Sequence, residues 1–208
     1  MDIYLFGSLC RGEIDEYSDV DLLAIIALDE NNNTQLDQHK FSIYQEKRIV
    51  ELWKEGNPFA WHLYKESKFI YSDNDIDILT NLGKPNPYDN MKADLNKFSN
   101  LFYSSINSLK DSKHSDIFDL SMLFLSIRNF ASCYSLGYLK DFNFSRDSAL
   151  KLKHDKLSIT EKTFRTLERA RILSTRGSGK LITNSEIKEV LKEIDTISNW
   201  FQLILNKV

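Results

Sequence analysis

The first third of the chain alternates short apolar runs with polar turns, which is the pattern of short β-strands. Val20–Ala27 is apolar on both faces and predicts an interior strand, because a strand buried on both faces shows no alternation. Three further runs predict other strands, and they are Ile3–Phe6, Lys40–Gln45 and Lys68–Asp73, the last being short or at an edge. Apolar residues at helical spacing predict helices at Glu46–Glu55 and Phe59–Ser67, on either side of a glycine-proline break.

The pattern changes around Asn81–Asn90, a segment that holds two of the three prolines in the chain. Beyond it, apolar residues recur almost entirely at helical spacing. We predict helices over Met91–Leu109, Ile117–Leu136 and Ser158–Leu173, and one long C-terminal helix with Thr183 or Asn184 as its N-cap. The predicted fold is α+β: a small mixed β-sheet domain with flanking helices at residues 1–84, then an all-α helical bundle at residues 88–208.

Composition narrows the class of protein. Hydrophobic residues make up 42% of the 208 positions, which is enough to form a core, and the net charge of -3 argues against broad attraction to nucleic acid. Cys10 and Cys133 have no disulfide or metal-ligand spacing and are interpreted as free thiols. The sequence shows no signal peptide and no membrane-spanning run, so we expect a soluble, cytoplasmic protein.

The residues with candidate chemistry lie in the opening stretch YLFGSLCRGEIDEYSDVDLLAII, between the first two predicted strands. Asp19 and Asp21 are spaced two apart, so on a strand their side chains point to the same face. Two carboxylates on one face form a natural site for Mg²⁺, and two such ions can hold an in-line phosphoryl or nucleotidyl transfer. This spacing therefore predicts a divalent metal site.

The glycine-serine turn in the same stretch suits a polyphosphate. Gly7 lets the backbone approach a phosphate closely, while the hydroxyl of Ser8 and neighbouring backbone N–H groups can bind its oxygens. Arg11 adds a fixed positive charge for a triphosphate. The combined pattern predicts a nucleoside triphosphate held over a metal pair.

This stretch resembles the signature of the DNA polymerase beta-type nucleotidyltransferases in their minimal bacterial form. That signature is a Gly-Ser pair, an arginine soon after, and Ser-Asp-x-Asp leading an apolar strand; the matching residues here are Gly7, Ser8, Arg11, Gly12, Ser18, Asp19 and Asp21. The resemblance implies transfer of an NMP group from an NTP, with ATP as the expected donor, to an acceptor hydroxyl with Mg²⁺. It implies that Asp19 and Asp21 are catalytic and bind the metals, and that Gly7, Ser8, Arg11 and Ser18 bind the nucleotide.

The sequence departs from the family pattern at the third carboxylate, which the family usually carries on a later strand. The strand at Lys40–Gln45 offers only Ser42 and Tyr44 on its polar face, and the flanking acids Asp37, Glu46 and Glu51 leave the assignment open. An alternative hypothesis follows: a non-catalytic module with a degenerate active site that binds a nucleotide or a partner.

The helical half resembles the bundles that accompany minimal nucleotidyltransferase domains, in kanamycin nucleotidyltransferase-like enzymes and in HEPN domains. Arg128-Asn129 is similar to the arginine start of the HEPN ribonuclease motif, but no histidine follows it within Ser126–Tyr138. The resemblance implies a bundle that binds substrate or forms a homodimer. Arg128 itself fits either an ion pair inside the bundle, for example with Asp119, or contact with a substrate or partner.

Overall fold

The computed structural model describes residues 1–13, 20–27, 36–38, 40–111 and 115–208. The chain divides into two compact units, Met1–Asp89 and Asn90–Val208. The first unit carries a four-stranded sheet and the second is helical, so the α+β prediction is confirmed. Within the described ranges, no helix combines the length and the apolar character needed to cross a membrane.

The sheet of the first unit has the order β3-β2-β1-β4. Its strands are β1 (Asp2–Phe6), β2 (Asp21–Ile26), β3 (Phe41–Gln45) and β4 (Ser67–Ser72). β1 pairs antiparallel with both β2 and β4, whereas β2 pairs parallel with β3, so the sheet is mixed. The run that was apolar on both faces is therefore an interior strand, as predicted, and the last run forms an edge.

The described residues of this unit form four helices: α1 (Ser8–Arg11), α2 (Glu46–Lys54), α3 (Pro58–Glu66) and α4 (Ile78–Leu82). The side chain of Asn57 caps α3 by accepting a hydrogen bond from the backbone N–H of Phe59. α3 runs directly into β4, so the end of this helix lies beside the end of β1. Apolar side chains of the sheet and helices form one core, which includes Tyr4, Phe6, Leu23, Ile25, Ile49 and Leu63.

The second unit is built around a helix that is buried on most sides. Its α-helices are α5 (Met91–Asp111), α6 (Asp116–Tyr134), α7 (Glu161–Arg176), α8 (Asn184–Lys192) and α9 (Ile194–Leu205). A π-helical turn, Ser135–Leu139, follows α6, and two 3₁₀ turns, Ser148–Lys151 and Lys153–Asp155, precede α7. α6 packs between α5 and α7, as its continuous apolar sequence predicted.

The prediction of one long C-terminal helix was wrong, because the structure has two helices that meet at Glu193. The backbone of Glu193, with φ -98° and ψ 1°, ends α8 and begins α9. Its carboxylate accepts hydrogen bonds from the backbone N–H of Thr160 at 2.9 Å and from the hydroxyl of Thr163 at 2.7 Å. This tertiary anchor fixes the break, and helical periodicity does not reveal it.

The N-terminus of α8 has a capping box that makes the helical unit sensitive to acid. Glu186 accepts hydrogen bonds from the backbone N–H of Thr183 and from Arg169, and together they lower its pKa from 4.5 to about 2. Because folding lowers this pKa, the carboxylate stabilises the fold above pH 4.5. That contribution is lost as the pH falls from 4.5 towards about 2.

We therefore expect Glu186→Gln to lower the free energy of unfolding by about 1–2 kcal/mol at pH 7. The difference from the wild-type protein should shrink as the pH falls below 4.5. Urea denaturation of the wild-type protein and the variant, at pH 7 and at a series of lower pH values, measures the stability loss and its dependence on pH. Glu189→Gln, on the exposed side of the same helix, is the matched control, and an equal loss in both variants would contradict the role of the capping box.

Candidate functional site

The turn after β1 adopts a backbone conformation that favours glycine. Gly7 has φ 79° and ψ -141°, a region that is essentially restricted to glycine, and its N–H donates to the backbone oxygen of Glu66 at 3.2 Å. Ser8 then begins the short helix α1 and is buried. α1 ends at Gly12, which is left-handed with φ 73° and ψ 16°. The two glycines thus form the turns on either side of α1.

Asp21 lies directly against this turn. It is the first residue of β2 and is in register with Phe6, the residue that precedes Gly7. A Cβ atom at position 7 would lie 2.5 Å from Oδ2 of Asp21 and 3.3 Å from its carboxyl carbon. The absence of a side chain on Gly7 therefore makes room for the carboxylate, and the structure brings together Gly7, Ser8 and Asp21.

Two predicted site residues, Ser18 and Asp19, lie outside the described residues, so the proposed pairing of Asp19 with Asp21 stays a prediction. Among the residues that the structure describes, no group of three or more His, Cys, Asp or Glu side chains could hold a metal ion. The carboxylate of Asp21 and the turn beside it fit one half of the predicted metal site.

Arg11 is the last residue of α1, and two carboxylates bind its guanidinium group. Nε donates to Glu13 Oε2 at 2.8 Å, and Nη1 forms an ion pair with Glu66 Oε2. Burial disfavours the charge of Arg11, but the hydrogen bonds that it donates to Glu13 and Glu66 outweigh this effect and raise its pKa. The guanidinium therefore stays charged and is held beside the turn.

Glu66 and His62 were not among the residues predicted for the site. They lie four residues apart on α3, and Nε2 of His62 is 3.0 Å from Glu66 Oε2. The imidazole ring packs edge-to-face against Phe6 and Phe59, with centroids 5.8 and 6.4 Å away. The only signal in the sequence was the i, i+4 spacing of these two residues just before a strand, and that spacing does not identify a site.

The strand on which a third carboxylate was sought, β3, contains none: its polar-face positions are Ser42 and Tyr44, as predicted. β3 begins in register with β2 at Phe41 and Leu22, and Lys40 immediately precedes this end of β3. Lys40 pairs at 3.8 Å with Asp37, an acid at the same end of the sheet. Glu46 follows β3 at its opposite end, and at the usual rise per residue of a strand it lies about 16 Å from Phe41.

One comparison with known proteins bears on this unit. Residues 1–83 match the family model "Polymerase beta, Nucleotidyltransferase". The matched segment contains β1 to β4 and therefore Gly7, Ser8, Arg11 and Asp21. It supports the polymerase beta superfamily for this part of the chain, and nucleotidyl transfer as the general class of activity. No curated protein matches the chain.

Cys10, within the segment that matches the family model, has the properties of an unreactive thiol. Its Sγ donates to the backbone oxygen of Leu5 at 3.4 Å, and burial raises its pKa. A thiol that keeps its proton is a poor nucleophile, so Cys10 has no evident part in the chemistry of the site.

Arg128, on α6 of the helical unit, binds a main-chain group. Nη2 donates to the backbone oxygen of Phe144 at 2.9 Å, and the backbone oxygen of Arg128 accepts from the hydroxyl of Ser148 at 3.1 Å. Asp119 accepts a hydrogen bond from Ser108 at 3.1 Å. These contacts tie the segment after the π-helical turn to α6, which is a structural use of Arg128 inside the bundle.

Proposed function

We propose that the N-terminal unit transfers the NMP group of an NTP, with ATP the favoured donor, to an acceptor hydroxyl and releases pyrophosphate. One observation carries the proposal: within the segment that matches the family, the carboxylate of Asp21 lies in the space that a side chain on Gly7 would fill. A metal-bound triphosphate requires a carboxylate for the metal ion beside a tight turn whose backbone N–H groups can bind phosphate oxygens.

Each residue of the proposed site has a distinct role. Asp21 and Asp19 would hold Mg²⁺, because carboxylate oxygens are ligands that this ion prefers. Bound Mg²⁺ supplies charge neutralisation for the transferred phosphoryl group and the leaving pyrophosphate. Gly7 allows close approach of the phosphates, and the hydroxyls of Ser8 and Ser18 donate to their oxygens. Arg11 contributes the positive charge.

The proposal extends to the helical unit. We infer a minimal nucleotidyltransferase of the bacterial, kanamycin nucleotidyltransferase-like type, with a domain at residues 1–84 and a HEPN-like bundle at residues 88–208. The bundle would bind the acceptor or form a homodimer. Acceptors of two classes fit this reading: a small molecule such as an aminoglycoside, or a protein or RNA target in a toxin–antitoxin or defence system.

The direct test measures pyrophosphate release and the mass of the acceptor. The purified protein is incubated with Mg²⁺, each of the four NTPs and a panel of hydroxyl-bearing small molecules, RNAs and the protein itself. We expect pyrophosphate and an acceptor that is heavier by one NMP group with one nucleotide and one acceptor class. Absence of both NTP binding and transfer would refute the proposed function.

A second function has one observation in its favour. The strand β3 carries no carboxylate side chain, and Lys40 immediately precedes it at the end where β3 begins to pair with β2. A non-catalytic module that binds a nucleotide or a partner fits this arrangement. Saturable binding of Mg²⁺ and NTP with no pyrophosphate release across the acceptor panel would favour this second function over transfer.

A further inference from the structure

We propose that Glu66 is a positioning residue of the candidate site: it fixes the guanidinium of Arg11 in the orientation that binds the phosphates of the nucleotide. This inference rests on the proposed function and assigns a part to a residue outside the opening signature. Glu66 is the last residue of α3 and is separated from Arg11 by 55 positions in the sequence.

Glu66 contacts the glycine-serine turn at two points. Its backbone oxygen accepts the hydrogen bond of the Gly7 N–H, and its carboxylate binds Nη1 of Arg11 at the end of α1. The first contact fixes the start of the turn, and the second fixes the side chain that leaves its far end. One residue therefore sets both the backbone that would approach the phosphates and the cation that would meet them.

Burial separates Glu66 from Glu13, the other carboxylate on Arg11. The side chains of Arg11 and Glu66 are 17% and 11% exposed, whereas that of Glu13 is 42% exposed. A shielded ion pair restrains its members more than an exposed one, because solvent screens the exposed pair. His62 completes the shielding, since its Nε2 lies 3.0 Å from the same Glu66 oxygen that binds Arg11.

Arg11 keeps donors for a ligand while it is held. A guanidinium has five N–H donors, and Nε and Nη1 use one each on Glu13 and Glu66. Within the described residues, Nη2 makes no hydrogen bond. A phosphate oxygen can therefore bind Nη2 without displacing either carboxylate, so Glu66 restrains the guanidinium and does not compete with the phosphate for it.

The test measures binding of inorganic tripolyphosphate with Mg²⁺ by isothermal titration calorimetry, a readout that needs neither the correct base nor the acceptor. We expect Glu66→Gln to weaken binding about tenfold, the size typical of losing a group that orients a ligand-binding residue. Glu13→Gln removes the same charge from the same guanidinium, but from an exposed partner, and should leave binding within about twofold.

A double-mutant cycle shows whether Glu66 acts through Arg11. Once Arg11→Gln has removed the cation, adding Glu66→Gln should weaken binding no further. Glu66→Asp keeps the charge but shortens the side chain, and we expect it to weaken binding as Glu66→Gln does. Melting temperatures of all variants exclude a loss that is due to unfolding.

Three outcomes would overturn the proposal. Tighter or unchanged binding by Glu66→Gln would show that Glu66 competes with the phosphate or plays no part. An equal loss in the presence and absence of Arg11 would show that it acts independently. If the wild-type protein binds no tripolyphosphate, this proposal and the nucleotide site of the proposed function fail together. If the wild-type protein binds and only Glu66→Gln behaves unexpectedly, the positioning role alone fails.

Discussion

Asp21→Asn is expected to lower the rate of Mg²⁺-dependent pyrophosphate release at least about 100-fold. Mutation of a residue that only hydrogen-bonds to a metal ligand typically lowers metal affinity or activity about 10–100-fold. Mutation of a direct ligand should lower activity by at least the upper end of that range. Asparagine has nearly the same size and fits beside Gly7, but it lacks the charge that holds a divalent cation. Initial rates at several Mg²⁺ concentrations measure the loss.

The matched control is Glu46→Gln, which removes one negative charge from the same unit at the opposite end of β3. This acid is exposed, and we expect its replacement to leave the rate unchanged. A comparable loss in both variants would mean that net charge, and not a metal ligand, governs the rate. An unchanged rate in Asp21→Asn alone would remove Asp21 from the catalytic site and with it the basis of the proposed function.

Gly7→Ala is expected to abolish transfer and to lower the free energy of unfolding by about 3 kcal/mol. Part of this cost is backbone strain, because φ 79° with ψ -141° is disfavoured for any residue with a side chain. The rest arises because the new methyl group would meet Oδ2 of Asp21 at 2.5 Å. The carboxylate is the end of a side chain and would move, so it would leave the position where it faces the turn.

Gly12→Ala separates these two effects. Gly12 also has a positive φ, of 73°, but no atom of the described residues lies within 4 Å of where its Cβ would stand. We expect a stability loss of about 1 kcal/mol from strain alone, with most of the transfer activity retained. Thermal unfolding and pyrophosphate assays on both variants make the comparison, and equal loss of activity would contradict a specific contact between position 7 and Asp21.

The hydrophobic pattern predicted most of the elements of the first unit because each is short and bounded by a strong signal. Val20–Ala27 lacked polar alternation and became the interior strand β2, and Gly56-Asn57-Pro58 separated α2 from α3 as expected. Helix ends shifted by a few residues, as for α7, predicted at Ser158–Leu173 and observed at Glu161–Arg176. Local periodicity determines such elements, and the side chains at their ends determine where they stop.

The features that sequence reasoning missed depend on residues that are distant along the chain. The break at Glu193 is made by Thr160 and Thr163 of another helix. The contact of Glu66 with Arg11 arises only when β4 lies beside β1. In both cases the deciding contact is an acid that pairs with a donor at least 30 residues away, and neither propensity nor periodicity carries that information.

The position of β4 in the sheet determines whether the residues of the opening signature could form the same site in a shorter fragment or in another protein. β1 leads into Gly7 with β2 on one side and β4 on the other, and β4 ends at Ser72. A truncated fragment that stops before α3 would contain every signature residue and yet lack the main-chain acceptor for Gly7 and the carboxylate that holds Arg11. The signature residues alone would therefore not form this site, and transfer of the motif into another protein would have to include α3 and β4 as well.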